Sequence, residues 1–480
     1  MSASLSNATS GLNAVSRAAE VVSSNVANAM TESYGRRELS LGAATVGGQG
    51  AGVQINGIER VVNETAIADR RLAQAELGYQ STRSEALASI EQTVGSPTSS
   101  ASLGSLMGQF EQDLITASIT PSDSSALSSV VNSAIGLTDK INEISDHLID
   151  LRDEADSAIS RHVADLNTGL SNVDRLNGEI RTQLNSGGDA SGLMDQRQAV
   201  IDSIGAIVPV QTVARDFGQV ALVTPNGTTL VDYQAASFEF VETGVITPDM
   251  TLETGALSGL KISGASSVSG TAIEAISGGA LSADFELRDQ EIPKIQANLD
   301  ALSRDLMDRA SSADGTLGLS DAGLFTDNGG TLDPLYEAGL SSRLSVNSAV
   351  IAADGGEAWR IRDGIAAIDA GPASNNELLN AYADSFSQVS SPLTGAFSDA
   401  GSSADLIGQF LTQISQERHA SEQRESYEIA RVQTLSDVER SGGVDTDQEL
   451  QKLLLIERNY AANAKVIQVV DEMLESLLRI

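Results

Sequence analysis

An apolar series at seven-residue spacing runs from residue 124 to residue 184. Val130, Leu137, Ile144 and Leu151 form one line, with Ala134, Ile141 and Leu148 beside it. After a one-residue slip near Ala155 the pattern resumes as Ile159, Leu166, Val173 and Ile180, flanked by Val163, Leu170 and Leu184. Seven residues span two helical turns, so this spacing predicts one helix over 124–184. At 1.5 Å per residue it would be about 90 Å long, the length of a rod or a bundle spine. Gly169 and Gly178 are the places where it could break, each costing about 1 kcal/mol relative to alanine.

The two ends of the chain carry matching patterns. At the start, Leu5, Leu12, Ala19 and Val26 make one series, and Ala8, Val15, Val22 and Ala29 the other. At the end the series are Leu453, Tyr460, Ile467 and Leu474, and Ile456, Asn463, Val470 and Leu477. Gly442 and Gly443 break the chain before the last helix, and Asp445, Thr446 and Asp447 offer capping groups. The first seam is rich in alanine and buries little area alone, so it needs a partner. The ends are expected to pair with each other, with neighbouring subunits, or with both. Two ordinary core helices of one bundle would give the same periodicity. The candidate assembly residues are Leu5, Leu12, Val15, Val22, Val26, Leu453, Ile456, Tyr460, Ile467, Val470, Leu474 and Leu477.

Further helices are predicted over 64–93, 103–118, 194–204, 285–311 and 404–440. Between 208 and 279 the chain turns to Gly, Thr, Ser and Val in short alternating runs, 219–224, 229–232 and 237–242, with Asn226-Gly227 as a turn. The predicted fold is mainly α with an inserted β-rich domain, a long helical bundle whose terminal helices form a coiled coil. The divisions are 1–60, N-terminal helix and extended arm; 61–205, first part of a helical rod domain; 206–279, β-rich outer domain; 280–440, the second part, with mixed strands and loops over about 314–356; and 441–480, C-terminal coiled-coil helix.

Chemistry is sparse. The formal net charge of −35 argues against nucleic acid or anionic lipid as a partner. There is no Cys, so disulfides, thiolate metal sites and Cys nucleophiles are excluded. His147, His162 and His419 have no metal-ligand companions at helical or loop spacing, and none of the nucleotide-binding or hydrolase motifs is present. Asp153, Glu154 and Asp156 read as the solvated face of the long helix. No catalytic residue, cofactor or metal site is assigned. Residues 1–13 lack a basic start and an apolar core, so no secretory signal is read, and no window is long and apolar enough to cross a bilayer. A substrate of a signal-less export machine has this appearance.

Residues 24–37 contain Asn25-Val26-Ala27-Asn28-Ala29, then Thr31, Tyr34 and Arg36. This resembles the N-terminal signature of the axial flagellar proteins: the rod, hook and hook-associated subunits. The family form has Pro-Gly before the tyrosine, where this chain has Glu32 and Ser33. Tyr460 to Ile467 and Asp471-Glu472-Met473-Leu474 resemble the family's C-terminal helix, and 441–445 the turn before it. Inside the chain, Leu193-Met194-Asp195-Gln196-Arg197 and Gly279-Ala280-Leu281 leading to Leu287-Arg288-Asp289 resemble the hook-associated protein 1 family.

The resemblance implies a non-enzymatic structural subunit, secreted through the flagellar type III apparatus and placed in the extracellular flagellum between hook and filament. It further implies a ring of identical copies, with hook protein and hook-associated protein 3 as neighbours and a cytoplasmic export chaperone on the C-terminal region. A hook, distal rod or filament subunit is the alternative within the class. A secreted enzyme on a helical scaffold, or an intracellular coiled-coil adaptor, are the readings outside it.

Overall fold

A computed structural model describes residues 2–31, 33–46, 49–96, 99–264 and 271–478. Glu32, Gly47 and Gly48 lie outside the described residues, and so does the side chain of Leu477. The chain opens with α1 (Ser2–Ala27) and a two-stranded antiparallel hairpin, β1 (Arg36–Val46) and β2 (Gln49–Val61). Three helices follow: α2 (Glu64–Val94), α3 (Leu103–Ile119) and α4 (Ser124–Asn185). After α5 (Ser191–Ile207) come the short strands β3 (Gln211–Ala214), β4 (Val220–Val223), β5 (Thr229–Val231), β6 (Ser237–Glu239) and β7 (Lys261–Ser263). They form a three-stranded sheet, β3-β4-β5, and a separate pair, β6-β7. Then α6 (Ala272–Ala275) and α7 (Ala280–Glu286) lead through a π-helical turn (Leu287–Glu291) into α8 (Ile292–Ala313). The remainder is β8 (Phe325–Asp327), α9 (Leu340–Arg343), β9 (Leu344–Val346), α10 (Arg360–Asp363), α11 (Glu377–Ser387), α12 (Ser403–Ser441) and α13 (Thr446–Leu478).

The helix expected over 124–184 is unbroken. The Asp123 side chain caps α4 by accepting from the Ser125 N–H at 2.9 Å. Gly169 does not break it, because that glycine is where α5 crosses: a Cβ there would stand 2.8 Å from Ile204 Cγ1. Close helix packing offsets the propensity cost of the residue.

Two hydrophobic cores lie along α4. The first packs Leu127 to Ala155 against α3, α8, α11 and α12, with Phe110, Phe325 and Phe386 meeting edge to face at 5.3 to 6.2 Å between ring centroids. The second packs Ile159 to Val173 against Ile201 and Ile204 of α5, Leu222, Leu230, Val231 and Phe238 of the strands, and Leu281 near the start of α7. The slip in the heptad pattern near Ala155 is therefore the handover from one core to the other. The β-rich segment shares its core with α4 and α5.

The handover carries a correction. Asp156 is not on a solvated face: it is 1% exposed and pairs with the fully buried Arg288 at 2.5 Å. Asp153 accepts the Ile246 N–H at 2.7 Å. Arg288 also reaches Asp289 at 2.8 Å and the Ser258 carbonyl at 3.0 Å. Burial opposes its charge, but the two carboxylates outweigh that and raise its pKa. Arg152, also buried, donates to the carbonyls of Arg288, Thr247 and Met250 and so ties the loop after β6 to α4.

The arm after α1 is a paired hairpin, Arg36 opposite Val61 and Val46 opposite Gln49. Its alternation was hidden by Gly42, Gly50, Gly52 and Gly57, and by bulges after Ser40 and Ala43. Gly279, the first residue of the Gly279-Ala280-Leu281 motif, has φ +79°, and a Cβ there would lie 2.3 Å from the Ile207 carbonyl oxygen. The backbone of α5's end occupies the space that any side chain would need.

Candidate functional site

The two ends pair with each other. α1 and α13 run antiparallel: Gly11 faces Asn463, whose amide would be 2.9 Å from a Cβ at 11, and Asn25 bonds Glu449 at the other end. In α13 the series of Ile456, Asn463 and Val470 lies on the line that meets α1, whereas the α1 residues that meet it, Gly11 and Asn25, belong to neither predicted series. In α1, Ala8 and Val22 are buried and Val15 is half-buried; in α13, Val470 is buried while Ile456 and Asn463 are half-buried. The second series faces outward by degrees. Leu12 and Ile467 are half-buried, whereas Leu5, Val26, Leu453, Tyr460 and Leu474 are exposed. Thus the candidate residues fall into an intramolecular seam and an open apolar face on the same helix pair.

Asn25 is the hub of this end. It is fully buried, donates from Nδ2 to the Arg37 carbonyl at 2.9 Å and to Glu449 at 3.0 Å, and accepts at Oδ1 from the Arg37 N–H at 3.0 Å and the Tyr34 hydroxyl at 2.9 Å. Both donors and both lone pairs of the amide are used, so one side chain joins α1, the arm and α13. Glu449 is 1% exposed and takes its second contact from Lys452 at 2.7 Å. Asn28 donates to the Ser24 carbonyl at 2.9 Å and Thr31 to Asn28 at 3.4 Å, which closes the turn after α1. Arg36 pairs with Glu38 at 2.5 Å on the outside of the hairpin.

Ser33 stands where the family carries glycine, and it adopts φ +62°. The turn keeps a left-handed conformation that costs an L-residue about 1 kcal/mol or more. Ser33→Gly is expected to raise the unfolding free energy by about 0.5–1 kcal/mol. Its denaturation midpoint against the parent chain checks this; an unchanged or lower midpoint refutes it.

The hairpin sits on α5. Asp195 accepts the Gly35 N–H and Arg60 Nε on one oxygen, at 2.9 and 2.7 Å, and Arg37 Nη2 on the other at 3.1 Å. The Arg37 guanidinium also lies over the Tyr34 ring, 4.9 Å from its centroid. One turn or two further along α5, Gln198 bonds Arg60 and Glu439, while Asp202 takes Arg70 at 3.0 Å and Arg71 at 2.6 Å. Arg197 donates to Asn177 and to the Gly218 carbonyl, both at 2.8 Å; burial, with Arg60 and Arg71 nearby, pushes its pKa down to about 10. The Asp195-Gln196-Arg197 stretch thus holds the hairpin by its first residue and α4 by its last. Periodicity could not have found Arg37, Arg60 or Asp195 as partners. Glu449 could have been found: extended back by seven, the line of Ile456, Asn463 and Val470 reaches it.

The histidines are apart from this site. His147 lies 2.9 Å from the Ser89 hydroxyl, His162 2.8 Å from Asp284, and His419 is exposed. No described helix is long and apolar enough to cross a membrane.

Family comparison agrees with this layout. Residues 5–34 match the flagella basal body rod protein family, and 438–480 the C-terminal region of the flagellar basal body rod FlgEFG proteins. The paired ends therefore define an axial protein of the bacterial flagellum. Residues 87–316 match the helical domain of the flagellar hook-associated protein FlgK. Flagellar hook-associated protein 1 of Bacillus subtilis is 24% identical over 99% of this chain and 97% of its own length. Its counterpart in Salmonella typhimurium is 30% identical over 49% of this chain and 44% of its own, so that match spans less than half of the relative. Over nearly its whole length the chain is thus similar to flagellar hook-associated protein 1. The flagellar hook junction protein FlgK from Burkholderia pseudomallei shares 21% identity over 54% of this chain and 46% of that one, at a TM-score of 0.44.

Proposed function

We propose that this chain is the non-enzymatic structural subunit that joins hook to filament. In this reading it leaves the cell through the flagellar type III system, after a cytoplasmic chaperone has held its C-terminal region. It then assembles as a ring with copies of itself, with hook protein on one side and hook-associated protein 3 on the other. The observation that carries the reading is the open face of the terminal pair. Leu5, Val26, Leu453, Tyr460 and Leu474 are exposed on helices whose other series is buried or half-buried where it is described, and an ordered row of exposed apolar side chains is a contact surface. Similarity to flagellar hook-associated protein 1 supplies the flagellar context.

Deleting the gene is expected to leave cells with hooks but no filaments, seen by electron microscopy of negatively stained cells. Loss of the hooks themselves would favour the hook or distal-rod alternative. Leu453→Asp is the residue-level test. Leu453 is 40% exposed, so the substitution should cost the monomer only about 1–2 kcal/mol. In an assembled seam the same carboxylate would be buried without a partner. The variant is expected to be exported but not incorporated; normal incorporation would remove Leu453 from the interface.

A further inference from the structure

An asparagine followed by glycine can close on its own backbone. The glycine nitrogen attacks the side-chain Cγ, a C–N bond forms, and ammonia leaves with the nitrogen's proton. Water then opens the resulting succinimide at either carbonyl. The product is aspartate, or the isomer whose backbone runs through the side-chain carbon. Glycine obstructs the attack least, having no side chain. The reaction still needs a side chain free to turn and a following N–H that is not held elsewhere. Four such pairs occur here: Asn56-Gly57, Asn177-Gly178, Asn226-Gly227 and Asn328-Gly329. Three are held in the body. Asn177, inside α4 and 1% exposed, donates to the Val220 carbonyl and accepts from Arg197 and the Val220 N–H. Asn226 donates to the Glu274 carbonyl at 2.6 Å and the Ser277 hydroxyl at 3.1 Å, while the Gly227 N–H donates to the Thr224 carbonyl at 2.9 Å. Asn328 is exposed, but the Gly329 N–H donates to the Thr326 hydroxyl at 3.0 Å.

Asn56 differs from all three. It is exposed, and among the described residues nothing hydrogen-bonds its side chain. The ladder sets Ser40 opposite Gly57 and Leu41 opposite Ile55, so Asn56 is the extra residue of a bulge and has no partner across the hairpin. Its amide lies beside Gly42, where a Cβ would stand 3.2 Å from both Nδ2 and Oδ1. No side chain on β1 fences it in. The space around Gly57 is open as well, with no atom within 4 Å of a Cβ built there. We propose that Asn56-Gly57 is a self-modifying site, the first position at which the chain deamidates. The change puts a new carboxylate into β2 and, in the isomer, one more backbone carbon, which disturbs the register against β1. The hairpin belongs with α1 and α13 to a terminal unit that, among the described residues, contributes nothing to either hydrophobic core. Opening of that unit would free Asn56 further and leave the other three pairs held.

The test follows all four pairs in one sample. The full-length protein is incubated in warm, mildly alkaline buffer, and portions are digested at intervals. Mass spectrometry gives the deamidated fraction of each Asn-Gly peptide, and an isoaspartate methyltransferase counts the isomer. Asn56 is expected to react at least about tenfold faster than each of the others, because they must first break one or more hydrogen bonds. In concentrated urea those bonds are gone, all four asparagines precede glycine, and the rates should draw together. Asn56→Gln should remove the fast phase of isoaspartate formation and leave the three slow sites unchanged. Another pair reacting as fast as Asn56 in native buffer overturns the proposal. So does a lead of Asn56 that persists undiminished in urea, since local sequence rather than the fold would then set the order.

Discussion

Arg288→Met will lower the unfolding free energy by about 3–5 kcal/mol. The guanidinium is wholly buried between the two cores, where it pairs with Asp156 and Asp289 and donates to the Ser258 carbonyl. Methionine fills much of the volume but leaves Asp156, itself 1% exposed, with the Thr243 N–H at 2.7 Å and without its cation. The loss comes from that stranded carboxylate rather than from any net strength of the ion pair, and this is separately testable. Adding Asp156→Leu to Arg288→Met should recover part of the deficit, since it removes the more deeply buried of the two carboxylates that lose their cation, while Asp289 keeps Arg152 nearby. Chemical denaturation of the four chains of the cycle gives the answer. A double variant no more stable than Arg288→Met alone would show that the charge is needed for reasons beyond pairing.

Asn25→Leu is expected to cost about 2–4 kcal/mol, concentrated at the chain ends. The substitution leaves the Arg37 N–H and carbonyl without their partners and takes from the buried Glu449 the amide that holds it. The expected signature is local: hydrogen-exchange protection falls in α1, α13 and the hairpin while both cores keep theirs, and cells carrying the variant lose swimming. The separation is possible because the terminal unit shares no apolar core with the body among the described residues. Undiminished protection of α1 would show that the apolar seam alone holds the pair together.

These two residues mark what could be read in the sequence and what could not. The long helix and the helices flanking it were legible because each buries one face, and a buried face imposes a period; β4 and β5 bury adjacent residues on both faces and were legible from their Val, Leu and Thr content and the Asn226-Gly227 turn between them. The same logic located the paired ends and both of their apolar series. The hairpin was not legible, since glycines and bulges erase the alternation on which a strand reading depends. Nor was α11, where Leu379, Tyr382 and Phe386 are buried at helical spacing within a polar, Ser-rich context. Arg288 and Asp156 lie 132 residues apart in the chain. Nothing in either local pattern distinguishes a charge destined for the interior from one on the surface, so Asp156 read as solvated. Asn25 was visible as part of a family motif, but its partner Glu449 is 424 residues away, and only the folded chain brings them together.

That last separation has a consequence for timing. A contact between the twenty-fifth residue and the four hundred and forty-ninth cannot form until nearly the whole polypeptide has emerged, whether from a ribosome or from a narrow conduit. The second core along α4, spanning Ile159 to Phe285, closes over much shorter loops and at smaller entropic expense, while the first waits for α12 to emerge. The ends are therefore the last part of the molecule to take shape. For as long as emergence lasts, the leading helix carries its uncovered stripe ahead of it and can be claimed by whatever surface it meets first.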